Sequence, residues 1–536
     1  MRRTRSPQEF HHRMALFGAL AGLLLATAIA PAARAITTPA LLDTLQHGAF
    51  DYFWNEANPA NGLIKDRSTP GSACSIAAVC FGLSAICIGV DHGWITREQG
   101  RERVLTTLTT FWTGPQGHEV AGNMGYRGFF YHFLDMNTGA RVWNCELSSI
   151  DTALLMAGVI DVEHYFLGGD AAETEIRALA DSLYQRVDWE FMRNWGVGIR
   201  MGWKPESGFD GYGTWVGYNE ATILYILALG SPTHPVPAST WFTWTSGYQW
   251  SNQYGQEYVI FPPLFGHQYS HCWIDFRNQQ DVYMASKGIT YFENSRRATL
   301  AAQAYCIDNP LGHVGYGELV WGLTASDDPW GYLAHGAPPG QNDNGTITPT
   351  AAASSIPFAP EIVIPTLHHF YDSYPSQLWG PYGFKDAFNL GQDWWASDYI
   401  GIDQGPIVIM IENYRDESVW YRFMQDEAVQ AGLDAATFEP ITASDPPPAS
   451  RVSLAQNAPN PFRERSVIRF QLQQPGHVSL RLYDVRGRSV ATLVDGWRAA
   501  GAHRAPLEAR GLCNGVYYYI LKCDGVSTMR RCVVLR

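Results

Sequence analysis

The side chains best suited to chemistry in this sequence are acids at the starts of apolar, helix-like runs. Glu146 and Asp151 lie in Trp143-Asn-Cys-Glu-Leu-Ser-Ser-Ile-Asp-Thr, where a helix is expected to begin at Ser148. Glu220, in Gly217-Tyr-Asn-Glu, opens the run Ala221–Leu229, with Asn219 as a candidate N-cap. Asp403, in Gly401-Ile-Asp-Gln-Gly-Pro406, stands just before a helix with Pro406 at its first position. Three have an ordinary reading beside the functional one: Asp151 and Ser148 form a capping-box variant, Glu220 suits the positive end of a helix dipole, and Asp403 suits a cap. Capping does not explain Glu146, which precedes the helix beside Trp143. Glu412, inside the apolar run 407–414, equally suits a buried structural carboxylate.

Several carboxyl groups at helix starts fit acid/base hydrolysis of a glycosidic bond. One carboxylic acid must protonate the leaving oxygen, and one carboxylate must activate water or attack carbon. A helix N-terminus lowers a carboxyl pKa, which opposes the acid role. Burial and neighbouring carboxylates must push it back up. Aromatic residues around these acids suit a sugar-binding wall. The glycine-rich loop 208–215 carries Asp210 and Trp215, and Trp143 precedes Glu146. If 269–276 is extended, Tyr269, His271, Trp273 and Asp275 share one face, with a stacking ring between hydrogen-bonding groups. Arg296 and Glu293 lie one helical turn apart and read first as an ion pair. Arg296, Gln404 and Glu412 complete the substrate-binding candidates.

Other chemistries lack their signatures. There is no G-x-S-x-G elbow, no H-E-x-x-H, no P-loop and no G-x-G-x-x-G after a strand. No Cys/His spacing suits zinc, so no metal or cofactor is expected, and buried free thiols are the default for the nine cysteines.

The elements around these residues are mainly helical up to a break at 440–450, PITASDPPPAS. Helical patterns cover 39–55, 76–89, 101–112, 148–166, 171–186, 219–229, 282–306, 358–374 and 406–425, with weaker ones between. Long Gly-, Trp- and Asp-rich loops separate them, which suggests helices in a closed toroid with functional loops. After the break, short β-type runs at close spacing read as a small β-sandwich. The expected division is a signal peptide over 1–35, a helical catalytic domain over 36–435, a linker over 436–452 and a β-sandwich over 453–536. The first segment has arginines, the apolar run 14–30 and Ala33-Arg-Ala35, an export and cleavage pattern, and no later window would span a bilayer.

Charge bounds the ligand. Residues 36–450 hold 19 basic against 45 acidic side chains, which would repel nucleic acids and polyuronates. A neutral ligand follows. The same imbalance disfavours a polysaccharide lyase, which must neutralise a uronate.

With these residues in view, positions of about 40–430 resemble the bacterial glucoamylase-like family that includes endo-β-1,2-glucanases. The motifs are ELSSIDTALL (146–155), GYNEA (217–221), PLFGHQYSHCWID (263–275), WGLTASD (321–327), PTAAASS (349–355) with PFAPE (357–361), and GIDQGP (401–406). The resemblance implies an (α/α)6 toroid with its cleft at the inner-helix N-termini and inverting hydrolysis of a neutral glucan. It implies Glu220 as general acid and Asp403 as base, with Glu146 and Asp151 lining the site. Residues 457–462, 482–488 and 515–518 resemble the sorting domains of exported bacterial proteins, which are similar to the flagellar-hook-cap immunoglobulin-like module. That implies export machinery as a partner and a secreted, surface or periplasmic location. Hydrolysis of another glucan linkage, or glycan binding without catalysis, are the rival expectations.

Overall fold

The computed structural model describes residues 36–441, 452–472, 475–484, 489–523 and 526–535. The expected signal peptide and residues 442–451 of the expected linker lie outside the described residues. Among the described residues, no helix is long and apolar enough to cross a membrane.

Three helices, Ile76–Asp91, Ser149–Tyr165 and Gly401–Arg415, form the centre of the first part. They are apolar on nearly every side, and 14 of the 16 residues of Ile76–Asp91 are buried. A helix without a polar face can only sit inside other elements. Thr38–Asn55 packs on Ile76–Asp91 and Gly401–Arg415, while Arg97–Thr113 and the amphipathic Ala171–Gln185 cover the outside. Close approach sets the spacing of the central helices. A Cβ at Gly158 would lie 2.4 Å from the Cys80 carbonyl oxygen, and one at Gly405 would lie 2.1 Å from the Phe81 ring. Neither position accepts a side chain without moving a helix.

The N-terminal ends of two of the central helices, Ile76–Asp91 and Ser149–Tyr165, are fixed by serine caps. The Ala78 amide donates to Ser75 Oγ and the Asp151 amide to Ser148 Oγ. The helix carrying Asp403 begins at Gly401, not at Pro406. Asp403 therefore lies in its first turn, and Pro406 lies inside it. Proline leaves the carbonyl four residues earlier without its helical donor. That carbonyl, on Ile402, accepts from the Tyr269 hydroxyl at 3.0 Å. Two expected long helices are broken. The 282–306 pattern divides into Val282–Lys287 and Tyr291–Asp308 at left-handed Gly288, and 406–425 divides after Arg415.

Residues 436–441, assigned by composition to the linker, belong to the helical body. Phe438 is buried against Trp241 and Tyr291, and Glu439–Pro440 pairs with Gln279–Gln280. Beyond residue 451, one antiparallel sheet joins Val452–Leu454, Arg465–Leu472 and Gly501–Glu508. A second runs in the order Ser489–Arg498, Gly476–Asp484, Gly515–Cys523, Val526–Val534. Both sheets contribute to one core, which includes Ile468, Phe470, Leu480 and Tyr519. Strand 501–508 shows no apolar run, because it buries only Ala505 and Leu507 there.

Asp161 is fully buried in the helical body, with Arg422 Nε donating to it at 2.8 Å. Removing one partner leaves the other buried and unpaired. Asp161→Ala should lower the unfolding free energy by about 3–5 kcal/mol in urea titration, and Asp161→Leu/Arg422→Leu should recover most of that loss.

Candidate active site

A cavity of about 590 Å³ opens where the N-terminal ends of the central helices converge. Ser75, Ser148, Ile150, Asp151, Ile400 and Ile402 reach it from those ends. Glu146, Glu220, Trp215 and Tyr269 line it as well, so five of the candidate residues meet in one space.

Glu220 sits just ahead of the helix Thr222–Gly230. Asn219 is not that helix's N-cap; its Oδ1 accepts from the Ala221 amide in a tight turn. The capping oxygen comes from a distant segment. Ser270 Oγ accepts from the Ile223 amide at 3.0 Å and donates to the Glu220 carbonyl at 2.9 Å. Burial dominates the Glu220 carboxyl. Its own backbone amide pulls the pKa down, the Asp151 charge pushes it up, and the result is about 7. Glu220 is therefore about half protonated at neutral pH, where an ordinary glutamate would be ionised.

The opposite condition holds at Glu146. His132 Nδ1 lies 3.0 Å from Glu146 Oε1, and its Nε2 lies 3.5 Å from Asp151 Oδ2. Burial works against a charged imidazole, but the Asp151 and Glu146 carboxylates outweigh it and raise His132 to about 9. Burial likewise raises Glu146, yet the His132 bond and charge hold it below the usual range. The cavity thus contains an acid that titrates near neutrality and a carboxylate that stays ionised.

Asp403 stands apart from the lining. It is 3% exposed, and it and Asp386, 2% exposed, hydrogen-bond to one another. Asp403 Oδ2 and Asp386 Oδ1 meet no other partner. Two adjacent buried carboxyls cannot both ionise cheaply: burial, the Asp386 charge and the hydrogen bond to it raise Asp403 well above the carboxylate range, while burial and the Asp327 charge raise Asp386 to about 7 even though the Asp403 hydrogen bond pulls it down. Tyr332, on the hairpin Ala325–Asp328/Gly331–Ala334, lines the cavity and is held un-ionised by burial and by both of these charges.

Asp386, Asp66, Arg67, Asp327, Tyr332 and His132 escaped the sequence reading. Asp66, Arg67, Tyr332 and His132 line the cavity, and Asp327 and Asp386 stand behind them. Arg67 donates two bonds to Asp327 at 3.0 and 3.2 Å and lies 3.6 Å from Asp398, and the Asp327 amide donates to Asp386 Oδ2 at 2.7 Å. Only Asp327 lay in a quoted motif, and no local pattern marks the rest.

Other expected binding residues lie elsewhere. Residues 264–267 and 270–272 are 3-10 turns, so 269–275 is not extended and its alternate side chains do not share a face. His271 is buried beside Ser295 Oγ at 3.0 Å, and burial lowers it to about 3. Trp273 is buried and donates to Ser84 Oγ, while Asp275 pairs with Arg277. Arg296 pairs with Glu361 rather than Glu293, whose partner is Arg297. Gln404 donates to the Phe384 carbonyl, and Glu412 lies toward the far end of its helix, against Gln46 and His92. Asp210 is exposed and outside the lining. Trp143 is also exposed, with its ring 5.2 Å from Phe133, which does line the cavity.

Residues 213–427 match the family described as "Putative glucoamylase". A solved structure from Bacteroides uniformis, carrying the same description, is 36% identical over 76% of this chain and 98% of its own, with a TM-score of 0.70. The chain belongs to the glucoamylase-like family. An endo-β-1,2-glucanase from Chitinophaga pinensis, solved with sophorotriose and glucose, is 32% identical over 76% of this chain and 99% of its own, with a TM-score of 0.70. A curated relative, the exo β-1,2-glucooligosaccharide sophorohydrolase (non-reducing end) of Parabacteroides distasonis, is 33% identical over 435 residues. That match covers 74% of this chain and spans 58% of the relative's length. Among glucoamylase-like chains, this one is therefore similar to proteins named for both endo and exo action.

The His132 contacts make a pH-dependent contribution to stability. A base whose folded pKa is raised stabilises fully below its unfolded value of about 6.5 and loses that contribution as pH rises through about 9. His132→Gln should cost about 1–2 kcal/mol at pH 6, after discounting for solvent in the cavity, and almost nothing at pH 10. Urea unfolding at the two pH values checks this. An equal cost at both would show that the ring acts by packing alone.

Proposed function

We propose that this protein is an inverting endo-β-1,2-glucanase, with Glu220 as general acid and the Asp403–Asp386 pair as base. The observation that carries this reading is the Glu220 carboxyl, enclosed by protein, opening into the cavity and raised to about 7, so that it can hold a proton near neutrality and also release it. It shares that space with an ionised Glu146. The near-complete match to a chain named for endo action on β-1,2-glucan supports the substrate and mode. The acidic surplus of residues 36–450 supports a neutral glucan.

In this mechanism Glu220 gives its proton to the glycosidic oxygen as the bond from that oxygen to C1 breaks. Water attacks C1 from the opposite face and loses one proton to the aspartate pair. One water is consumed, and the product sugar has the inverted, α configuration. Near neutral pH the pair is short of one proton in a large fraction of molecules, because Asp386 sits at about 7. Its raised affinity for protons then makes it a stronger acceptor than an isolated carboxylate. Tyr332 and Tyr269 stand close enough to sense the Asp403 charge and line the cavity, linking the pair to it. Trp215 and Tyr269 supply ring surface for glucosyl units, and Trp143 extends it outside the cavity.

The architecture and cellular placement belong to the same proposal. The helical body is an (α/α)6 toroid. The two-sheet C-terminal part is an immunoglobulin-like sorting domain, and residues 1–35 direct export to the surface or medium.

Glu220→Gln should reduce turnover of linear β-1,2-glucan by about 10²–10⁴-fold. Burial of the wild-type carboxylate costs stability as pH rises from about 4.5 to about 7, so the same variant should melt higher than wild type at pH 8, with the gain vanishing near pH 4.5. Full retained turnover would remove Glu220 from the acid role. NMR of the first product should show the α-anomer; the β-anomer would overturn inversion, and binding without cleavage would identify a glycan-binding protein.

A further inference from the structure

A second cavity, of about 620 Å³, lies away from the acids just described. It is bounded by the helix Thr38–Asn55, through His47, Gly48 and Asp51, and by the hairpin Trp379–Gly380/Gly383–Phe384. His92 and Trp94, which follow the C-terminal end of Ile76–Asp91, close another side. That is the opposite end of this helix from Ser75, which lines the first cavity. Sixteen helical residues separate the two ends by about 24 Å.

The groove is shaped by contacts that hold its parts rigid. A Cβ at Gly48 would lie 2.8 Å from the Gly383 amide nitrogen, so helix and hairpin meet backbone to backbone. Trp94 stacks on His47 at 4.4 Å and on His92 at 4.7 Å. His92 is anchored by Glu412 at 2.8 Å, and Glu412 is 1% exposed and also receives a bond from Gln46 at 2.7 Å. Glu412 is the acid that the sequence marks for substrate binding and that catalysis leaves unused. It supports this groove instead.

The exposed groups have a particular chemistry. Asp51 faces the groove, and its one ion-pair neighbour is His47 at 3.8 Å, beyond hydrogen-bond distance. The Arg415 guanidinium is occupied by Asp43 at 2.6 Å and by Gln46. Carboxylates with spare acceptor capacity, imidazole nitrogens and half-exposed indoles suit a ligand with many hydroxyls and apolar ring faces. The two carboxylates disfavour an anion.

We propose that this groove is a second saccharide site, where Trp379 stacks on a glucosyl ring and Asp51 and His47 accept or donate hydrogen bonds to hydroxyls. A short stretch of the substrate glucan is the occupant, so the identity of the ligand rests on the proposed function. Calorimetric titration of the full chain carrying Glu220→Gln with a β-1,2-linked glucopentaose tests it. Two equivalents should bind, and adding Trp379→Ala should leave one. Asp51→Ala, which spares the hairpin and the ring stack, should weaken the second equivalent at least fivefold. Both changes, made in the chain with Glu220 intact, should leave turnover of the pentaose within twofold, which also reports correct folding. A single equivalent that neither change alters would overturn the proposal. If the intact chain fails to cleave the pentaose, the hydrolase reading fails separately, and the count of bound equivalents still decides the groove.

Discussion

Desolvation of carboxyl groups at converging helix starts is the constraint on which this structure turns. Three apolar helices must be buried for the body to close, and their N-terminal ends then point into one space. A helix N-terminus alone would favour ionised acids by about 0.3–1 kcal/mol. At Glu220, burial outweighs that preference and holds the carboxyl at about 7. At Glu146, a protonated imidazole reverses the balance. The same enclosure thus produces two protonation states because one carboxylate has a cation beside it and the other does not.

The framework around Arg67 follows from the same constraint. Asp66, Asp327 and Asp398 all crowd toward one guanidinium, and Asp386 is held by the Asp327 main chain. The Asp327 and Asp66 charges both raise Asp403, and the Arg67 charge opposes the Asp327 charge at Asp386. Arg67 Nη1 donates to both Asp327 carboxylate oxygens, and this charged contact ties down the hairpin that carries Tyr332 as well. Charge compensation and placement of the cavity wall are therefore one set of contacts.

This explains what was legible in the sequence. Ser148, Glu146 and Asp151 are local: cap, acid and apolar run lie within a few residues, so spacing reveals them. Glu220 was visible as an acid before an apolar run, but its true cap, Ser270, lies 50 residues on. Asp386 and Arg67 gain their meaning only from partners 59 and 260 residues away in sequence. The 269–275 segment failed differently. Its alternation imitates a strand, but Ser270 must cap another helix and Tyr269 must satisfy the carbonyl freed by Pro406, and the 3-10 turns accommodate both. Tertiary hydrogen bonding overrode a period of two.

The position of His132 separates the two acids. Burial and the Asp151 charge raise Glu220, its own backbone amide opposes them, and the carboxyl comes to rest at about 7. His132 contacts Asp151 and Glu146 together, and its bond and charge hold Glu146 below the usual range. Effective acid catalysis needs a pKa near the working pH, neither far above nor far below it. Burial supplies the upward force on Glu220 and the cation beside Glu146 supplies a downward one, so one space holds an acid poised near neutrality and a carboxylate that stays ionised.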